Sequence, residues 1–275
     1  MLLGYNTNGF PFHRLEDAIE IIAECGYRCV ALTLDVHHLD PFRSTAAEVA
    51  AVGACLRRHK LACVIETGSR YLLDPRRKHR PTLLDDDPAR RLEFLGLAAR
   101  IGHDLGASAL SYWSGARPEG SHNDAELLER LARGVEKVET MAAAAGLKAA
   151  LEPEPGMFLE KMADYDRLSA TLGFQPGLTM DIGHLRCVES RPEHEYLLEY
   201  RRVLYNLQLD DMMPGRHQHL FFGQGQVDFA RAFQALREIG YAGPACVELS
   251  DAGRNAVETA ARAKAFLDRA LSTQP

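Results

Sequence analysis

The sequence predicts a single (β/α)8 barrel, or TIM barrel, that spans residues 1–275. The length of 275 residues suits one large α/β domain. Short apolar segments alternate with longer segments of helical periodicity along the whole chain, and no low-complexity linker divides it. Eight such pairs favour a closed barrel over an open sheet.

The predicted strands are eight short runs rich in Val, Ile, Leu and Ala. Each run is continuously apolar rather than alternating, which is typical of parallel strands that are covered on both faces. In chain order they occupy residues 2–5, 29–34, 62–65, 109–112, 148–151, 177–180, 205–209 and 245–249.

The predicted helices lie between these strands. In the first of them, Leu15, Ala18 and Ile22 share one face, and Gly26 follows as a C-terminal stop. The other predicted helices occupy residues 44–60, 88–105, 127–145, 168–172, 194–202, 229–239 and 257–271. The longest irregular stretch, residues 67–87, exceeds an ordinary connection, so it is either functional or loosely ordered.

The composition argues against several classes of function. A net charge of −6 disfavours a function dominated by binding to the nucleic-acid backbone. There is no apolar run long enough for a membrane span, and the N-terminal sequence MLLGYNTNGF lacks the features of a secretory signal. The six cysteines form no CxxC pair and lie mostly in apolar segments, which indicates buried thiols in the cytoplasm. We therefore expect a small-molecule partner, without nucleic acid or membrane.

Acidic and amide side chains follow the last four predicted strands, where a barrel of this type carries its active site. They are Glu152 and Glu154 after strand five, Asp181 and His184 after strand six, Gln208, Asp210 and Asp211 in strand seven, and Glu248 in strand eight. Taken singly, each acid is also explained as the first solvated residue of a loop or as a helix cap. Converging carboxylates repel one another unless a cation or shared protons compensate, so the set predicts a divalent-metal site.

These strand ends resemble the xylose-isomerase-like barrel superfamily, in particular its sugar phosphate isomerase/epimerase branch, within the type also known as abasic-site endonuclease family 2-like. The resemblance covers nearly the whole chain. Its motifs are Leu151-Glu152-Pro153, the D-x-x-H segment of Asp181 and His184, Val247-Glu248, and a G-x-G-x-V-D stretch at residues 223–228 that follows His219. The chain departs from the family at Gln208, which stands where strand seven normally supplies a histidine.

The resemblance implies a divalent-metal-dependent isomerase or epimerase of a sugar or sugar-like substrate. The proton would move through a metal-stabilised enediolate, with Glu152 and Glu248 as the catalytic pair. The implied metal ligands are Glu152, Asp181, Gln208 and Glu248. Three carboxylates and an amide oxygen favour Mn²⁺ or Mg²⁺, with Zn²⁺ or Co²⁺ as the alternatives.

Five further residues are candidates for contacts with the substrate. They are His184, His219, Arg216, Glu154 and Trp113. The basic run at residues 76–80 lies in the irregular stretch after strand three and is either a clamp for an anionic substrate or a solvated surface. Some relatives pair through barrel faces, so a homodimer is expected.

Three other functions stay open at the level of the sequence. An abasic-site endonuclease is suggested by His217 and His219, although Glu66 and Trp113 stand near strand ends where that class has histidine ligands. A metal-dependent dehydratase of a hydroxy-keto acid uses a similar centre. A non-catalytic metabolite-binding barrel would follow if Gln208 has weakened the metal site.

Overall fold

The computed structural model describes residues 1–120 and 123–272. Within these residues, eight parallel strands close into a barrel in which neighbours along the chain are neighbours in the sheet. The barrel strands are β1 (Leu2–Asn6), β2 (Cys29–Thr33), β3 (Ala62–Glu66), β4 (Ala109–Trp113), β5 (Lys148–Glu152), β6 (Leu178–Asp181), β7 (Leu204–Leu209) and β10 (Pro244–Val247). The predicted fold class is confirmed, and each predicted strand is present to within two residues at either end.

Helices lie between the strands near the predicted places, although the helix predicted at residues 168–172 begins six residues earlier, at Met162. They are α1 (Leu15–Glu24), α2 (Ala46–His59), α3 (Ala89–Leu105), α4 (Asp124–Ala144), α5 (Met162–Leu172), α6 (Ile182–Val188), α7 (Glu193–Glu199), α8 (Phe229–Glu238) and α9 (Ala256–Ser272). Short 3₁₀ helices at Thr7–Gly9 and Ser250–Asn255 follow β1 and β10. The sequence did not predict α6, because seven residues are too few to establish a helical period.

A hairpin of β8 (Asp211–Met213) and β9 (Arg216–Leu220) projects beyond β7. It was also missed, because the sequence RHQHL of β9 is polar and partly exposed and so carries no apolar run. The hairpin is held by Asp211, whose carboxylate accepts hydrogen bonds from the backbone N–H groups of Gly223, Gly225 and Val227 at 2.8–3.0 Å. Asp211 is therefore a structural residue.

The interior of the barrel changes character along the strands. At the amino-terminal end it contains a compact cluster of small side chains: Cys29, Ala31, Val64, Ala109, Ala150 and Cys246. Because side chains alternate between the two faces of a strand, the residues two positions further along face the same interior. At those positions Thr33, Glu66, Ser111, Glu152 and Glu248 turn the upper half polar.

The irregular stretch after β3 is tied to the barrel by one buried arginine. Arg91 of α3 is 3% exposed, and its guanidinium donates hydrogen bonds to the carbonyl oxygens of Thr67 (3.3 Å), His79 (2.9 Å) and Pro81 (2.9 Å). The guanidinium carbon lies 4.6 Å from the ring centroid of Trp113. The sequence left open whether this stretch is functional or loosely ordered, and these contacts argue against loose order.

All six cysteines are free thiols, five of them buried and Cys25 half-buried. No helix in residues 1–120 and 123–272 has both the length and the apolar character needed to cross a bilayer.

Candidate active site

A cavity of about 530 Å³ opens at the carboxyl ends of the barrel strands. It brings together six residues that the sequence singled out: Trp113, Glu152, Glu154, His184, His219 and Glu248. Arg216 is not among the lining residues. It is exposed at the start of β9, beside the turn of the hairpin, so the structure does not support its predicted contact with the substrate.

Asp181 has two functions at the end of β6. One carboxylate oxygen caps α6 by accepting hydrogen bonds from the N–H groups of Gly183 (2.7 Å) and His184 (3.1 Å). The other oxygen, Oδ2, is buried and has no hydrogen-bond partner in the described part of the chain. Nε2 of His184 lies 3.6 Å from this oxygen, and Nδ1 of His184 lies 3.5 Å from Glu152. Glu152, Asp181 and His184 thus form a group with metal-ligand spacing.

The amide of Gln208 is oriented by a buried glutamate that the sequence reasoning did not include in the site. Nε2 of Gln208 donates a hydrogen bond to Glu66 at 2.6 Å, and Asn206 donates to the same oxygen at 3.0 Å. The amide oxygen of Gln208 is left buried, without a partner among residues 1–120 and 123–272. The alternation Ala62, Val64, Glu66 along β3 is the signal that places Glu66 inside the barrel.

Glu248 lies just beyond β10, across the mouth from Glu152. It accepts a hydrogen bond of 2.7 Å from the side-chain amide of Asn8, which is contributed by the 3₁₀ helix after β1. Glu248 belongs to none of the groups of His, Cys, Asp and Glu side chains that the described residues bring within 4.8 Å of one another. Glu248 therefore does not complete the Glu152 group at this spacing, although its charge is among the causes that raise the pKa of Glu152.

Asp210 and His219 form a second polar pair. Nδ1–H of His219 donates a short hydrogen bond to Asp210, which is fully buried after β7. The approach of α6 to this carboxylate depends on Gly183, because a Cβ atom there would overlap the Oδ1 atom of Asp210. Burial lowers the pKa of His219, but the hydrogen bond to Asp210 and its charge outweigh this and raise it to about 10.

Burial and mutual repulsion raise the pKa values of most carboxyl groups in the cavity. Burial, followed by the charge of Glu248, raises the pKa of Glu66 to about 8 and that of Glu154 to about 7. The same causes raise the pKa of Glu152 well above its usual range. Burial also raises the pKa of Glu248. Such a set retains protons at neutral pH unless a cation lies between the carboxylates.

Only part of the basic stretch reaches the cavity. Arg77 pairs with Asp74 at 2.7 Å and Arg80 pairs with Asp85 at 2.9 Å, so both are engaged locally. Lys78 lines the cavity, as does Arg70 from the same stretch. The charge of Arg70 lowers the pKa of Glu248 in opposition to burial, which indicates that this cation faces the carboxylates. The cationic side of the cavity is therefore Arg70 and Lys78.

Acidic side chains at the carboxyl-terminal mouth of a (β/α)8 barrel are the usual arrangement of an active site in this fold. The chain belongs to the xylose isomerase-like TIM barrel family, whose sequence model matches residues 19–270. The family resemblance inferred from the strand-end motifs is thereby confirmed.

The relatives include L-ribulose-5-phosphate 3-epimerase UlaE of Shigella flexneri serotype 5b, with 26% identity over 200 residues. This match covers 68% of the chain, which spans about two-thirds (66%) of that relative. Among solved structures, a D-tagatose 3-epimerase-like protein superposes with a TM-score of 0.81 at 18% identity, covering 98% of this chain and 97% of the other. The IOLI protein with a bound zinc atom superposes with a TM-score of 0.78 at 16% identity over all of both chains. UlaE is a sugar epimerase, and on this similarity the chain is an enzyme.

Proposed function

We propose that the chain is a divalent-metal-dependent epimerase or isomerase of a small keto sugar or a sugar phosphate. The observation that carries the proposal is a set of buried, unpartnered ligand atoms at the carboxyl ends of β6 and β7 and on α6, where Asp181 and Gln208 are partners in register. Oδ2 of Asp181, the amide oxygen of Gln208 and both ring nitrogens of His184 lack hydrogen-bond partners within the described ranges. Burying polar atoms unpaired costs about 1–3 kcal/mol each, and a bound cation removes that cost.

The donor set fits a hard divalent cation. Glu152, Asp181, Gln208 and Glu248 would hold it through oxygen atoms, which favours Mn²⁺ or Mg²⁺. The hydrogen bond from Gln208 to Glu66 supports this assignment, because it turns the amide nitrogen away and leaves the oxygen free. When bound, such a cation draws electron density from the substrate carbonyl and acidifies the neighbouring C–H bond.

Glu152 and Glu248 would move the proton. Glu152 ends β5 and Glu248 follows β10, and these strands lie three places apart around the barrel, so the two carboxylates approach a sugar in the cavity from different sides. Removal by one carboxylate and return by the other inverts the carbon, and this is the chemistry of epimerisation. Burial raises the pKa values of both, which brings a carboxylate closer to the range in which it exchanges a proton efficiently at neutral pH.

The alternatives are less favoured at this site. The ends of β3 and β4 carry Glu66 and Trp113, which replace the histidines that an abasic-site endonuclease would need there. A dehydratase would use the same carboxylates and differs in its product. A non-catalytic barrel would have no need of carboxylates from separate strands with raised pKa values facing one cavity.

The test is exchange of the substrate proton with solvent. The protein is loaded with Mn²⁺ and incubated in D₂O with ketopentoses and ketohexoses, each free and phosphorylated, and the products are followed by NMR. We expect deuterium at the carbon next to the carbonyl and a second epimer or isomer. A dehydratase would instead give a product that lacks one water.

The matched variants are Glu152→Gln, which removes a carboxylate from the cavity, and Glu136→Gln, which removes an exposed one from the outer helix α4. We expect Glu152→Gln to abolish exchange and Glu136→Gln to leave it unchanged. Metal binding without exchange on any sugar would contradict the proposed activity, and full exchange in Glu152→Gln would contradict the assigned residue.

A further inference from the structure

A hydrogen bond from Asn8 fixes one oxygen of the Glu248 carboxylate in the cavity. Nδ2 of Asn8 donates to Oε1 of Glu248 at 2.7 Å, and both residues line the cavity. The main chain of Glu248 is held separately, because its N–H group donates to the carbonyl oxygen of Leu209 at 3.0 Å. Two different elements therefore fix Glu248: β7 holds its main chain, and the 3₁₀ helix Thr7–Gly9 holds its side chain.

The turn that carries Asn8 is tied to the end of β2. Oδ1 of Asn6 accepts hydrogen bonds from the N–H group of Asn8 at 3.0 Å and from the hydroxyl of Thr33 at 2.6 Å. The N–H group of Thr33 donates to Oγ1 of Thr7 at 3.0 Å. Because Asn6, Thr7 and Thr33 are all buried, the barrel itself sets the position of Asn8.

Folding alone does not account for the amide of Asn8. Its Oδ1 atom is buried and has no hydrogen-bond partner in the part of the chain that the structure describes. An amide that served only to hold the turn would be expected to pair its buried oxygen as well as its nitrogen. The bond that the side chain makes goes instead to a carboxylate more than two hundred residues away in the sequence, so its contribution is the contact with Glu248.

The two carboxylates of the proposed proton transfer are held differently. Nδ1 of His184 lies 3.5 Å from Glu152, which is longer than an ordinary hydrogen bond, whereas Glu248 has the amide of Asn8 at 2.7 Å. An amide donates without carrying a charge, so it orients the carboxylate without neutralising it as an arginine or lysine would. With Oε1 of Glu248 engaged by Asn8, Oε2 is the oxygen left to exchange a proton with a ligand.

We propose that Asn8 is a positioning residue that holds Glu248 for proton transfer on one face of the substrate carbon. This role rests on the proposed function, in which Glu152 and Glu248 approach the sugar from different sides. Without the amide, the Glu248 carboxylate is free to rotate, and a displacement of about 1 Å costs about 10²-fold in rate. The face that Glu152 serves keeps its base. Loss of Asn8 should therefore impair proton transfer at one epimer and spare it at the other.

The experiment compares proton exchange from the two epimers of one sugar pair in D₂O. The pair is the one that reacts among the ketopentoses and ketohexoses, and each epimer is given separately to the Mn²⁺-loaded protein, with initial deuterium uptake followed by NMR. For Asn8→Ala we expect exchange from one epimer to fall by about 10–100-fold and exchange from the other to change little. The control Asn255→Ala removes an exposed amide from the 3₁₀ helix after β10 and should leave both rates unchanged.

A double variant tests whether Asn8 acts through Glu248. In the background of Glu248→Gln, adding Asn8→Ala should lower the remaining exchange little further, because the carboxylate that the amide positions is already gone. If the two losses add in full, Asn8 acts by another route and the proposal is wrong.

The outcomes that overturn the proposal are distinct from those that overturn the proposed function. Equal losses from both epimers, or no loss from either, would exclude the positioning role while the activity stands. A lower melting temperature of Asn8→Ala with an unchanged ratio of the two rates would mean that Asn8 serves the fold alone. Absence of exchange from every sugar in the wild type would instead contradict the proposed function, and the role of Asn8 with it.

Discussion

The two ends of the barrel interior are built from the same strands but from opposite kinds of side chain. At the amino-terminal end, Cys29, Ala109 and Cys246 form a small apolar cluster. Two residues further along β10, Glu248 enters the cavity, and the same step along β5 leads from Ala150 to Glu152. Two residues of a strand span roughly 7 Å. Within one barrel, packing and chemistry are thus separated by a single repeat of the strand alternation.

This arrangement limits how far the repulsion between the carboxylates destabilises the fold. Buried carboxylates that repel one another destabilise the structure around them. Here that cost is confined to the open end, while the closed end and the layer between strands and helices supply the apolar burial. Variants two residues apart on one strand therefore test the separation directly.

The largest contrast is expected between Glu248→Gln and Cys246→Ala on β10. Glu248→Gln keeps the hydrogen-bonding shape but removes the base, so kcat should fall by about 10²–10⁴-fold with little change in the melting temperature. Cys246→Ala removes a buried sulfur atom, so the free energy of unfolding should fall by about 1 kcal/mol with kcat unchanged. Steady-state kinetics and urea unfolding of both variants make the measurement. A large loss of kcat in Cys246→Ala would mean that the two ends are not separable.

Much of this arrangement is predictable from sequence, and the errors have physical causes. Apolar runs identified the strands because parallel barrel strands are covered on both faces. The same runs obscured Glu66, since a single acid after the four apolar residues of the predicted strand 62–65 was assigned to the irregular stretch that follows. Applying the two-residue alternation to β3 would have placed Glu66 in the interior beside Glu152.

The loops were less predictable because their positions depend on distant contacts. Which cations line the cavity depends on Arg91, a helix residue that binds three carbonyl oxygens of the preceding stretch. That contact brings Arg70 and Lys78 to the mouth, while Arg77 and Arg80 pair with nearby acids. Arg216 was predicted to contact the substrate because it is a cation near the strand-seven motifs, but it lies exposed at the start of β9.

The next contrast concerns the closed end and tests how tightly it is packed. A Cβ atom at Gly4 would lie 2.8 Å from the carbonyl oxygen of Cys29 and closer still to the Sγ atom of Cys246. Gly4→Val should therefore destabilise the protein by about 1–3 kcal/mol, through overpacking rather than through loss of a contact. Urea unfolding gives this number, and Gly68→Ala, where a Cβ atom meets nothing within 4 Å, is the matched control.

Kinetics of the folded fraction then refine the comparison. With most of the Gly4→Val chains still folded, kcat per folded molecule should equal that of the wild type, because the overpacked layer lies below the carboxylates. A lowered kcat would show that strain at the closed end is transmitted along the strands to Glu248. Equal stability of Gly4→Val and the wild type would show that the closed end has space to absorb the added side chain.

The smallest effect is expected at the rim, where polarity comes from a loop rather than from the strands. Nδ1–H of His79 donates a hydrogen bond to the carbonyl oxygen of Gly68 at 2.6 Å, and its ring packs edge-on against Trp113. Burial lowers the pKa of His79 to about 4. The unfolded chain takes up this proton near pH 6.5, whereas the folded chain does so only near pH 4. The stability that the neutral ring contributes is therefore complete above pH 6.5 and is lost as the pH falls towards 4.

Between pH 7 and pH 5, His79 should account for a decrease of about 1–2 kcal/mol in the free energy of unfolding, a value reduced for its partial exposure. The measurement is urea unfolding at both pH values for the wild type, for His79→Gln, and for His37→Gln, which alters an exposed histidine. His79→Gln should show the smaller dependence on pH, whereas His37→Gln should follow the wild type. If His79→Gln keeps the full dependence, the rim histidine titrates as a solvated group, and the contacts made by Arg91 do not keep this part of the mouth closed to water.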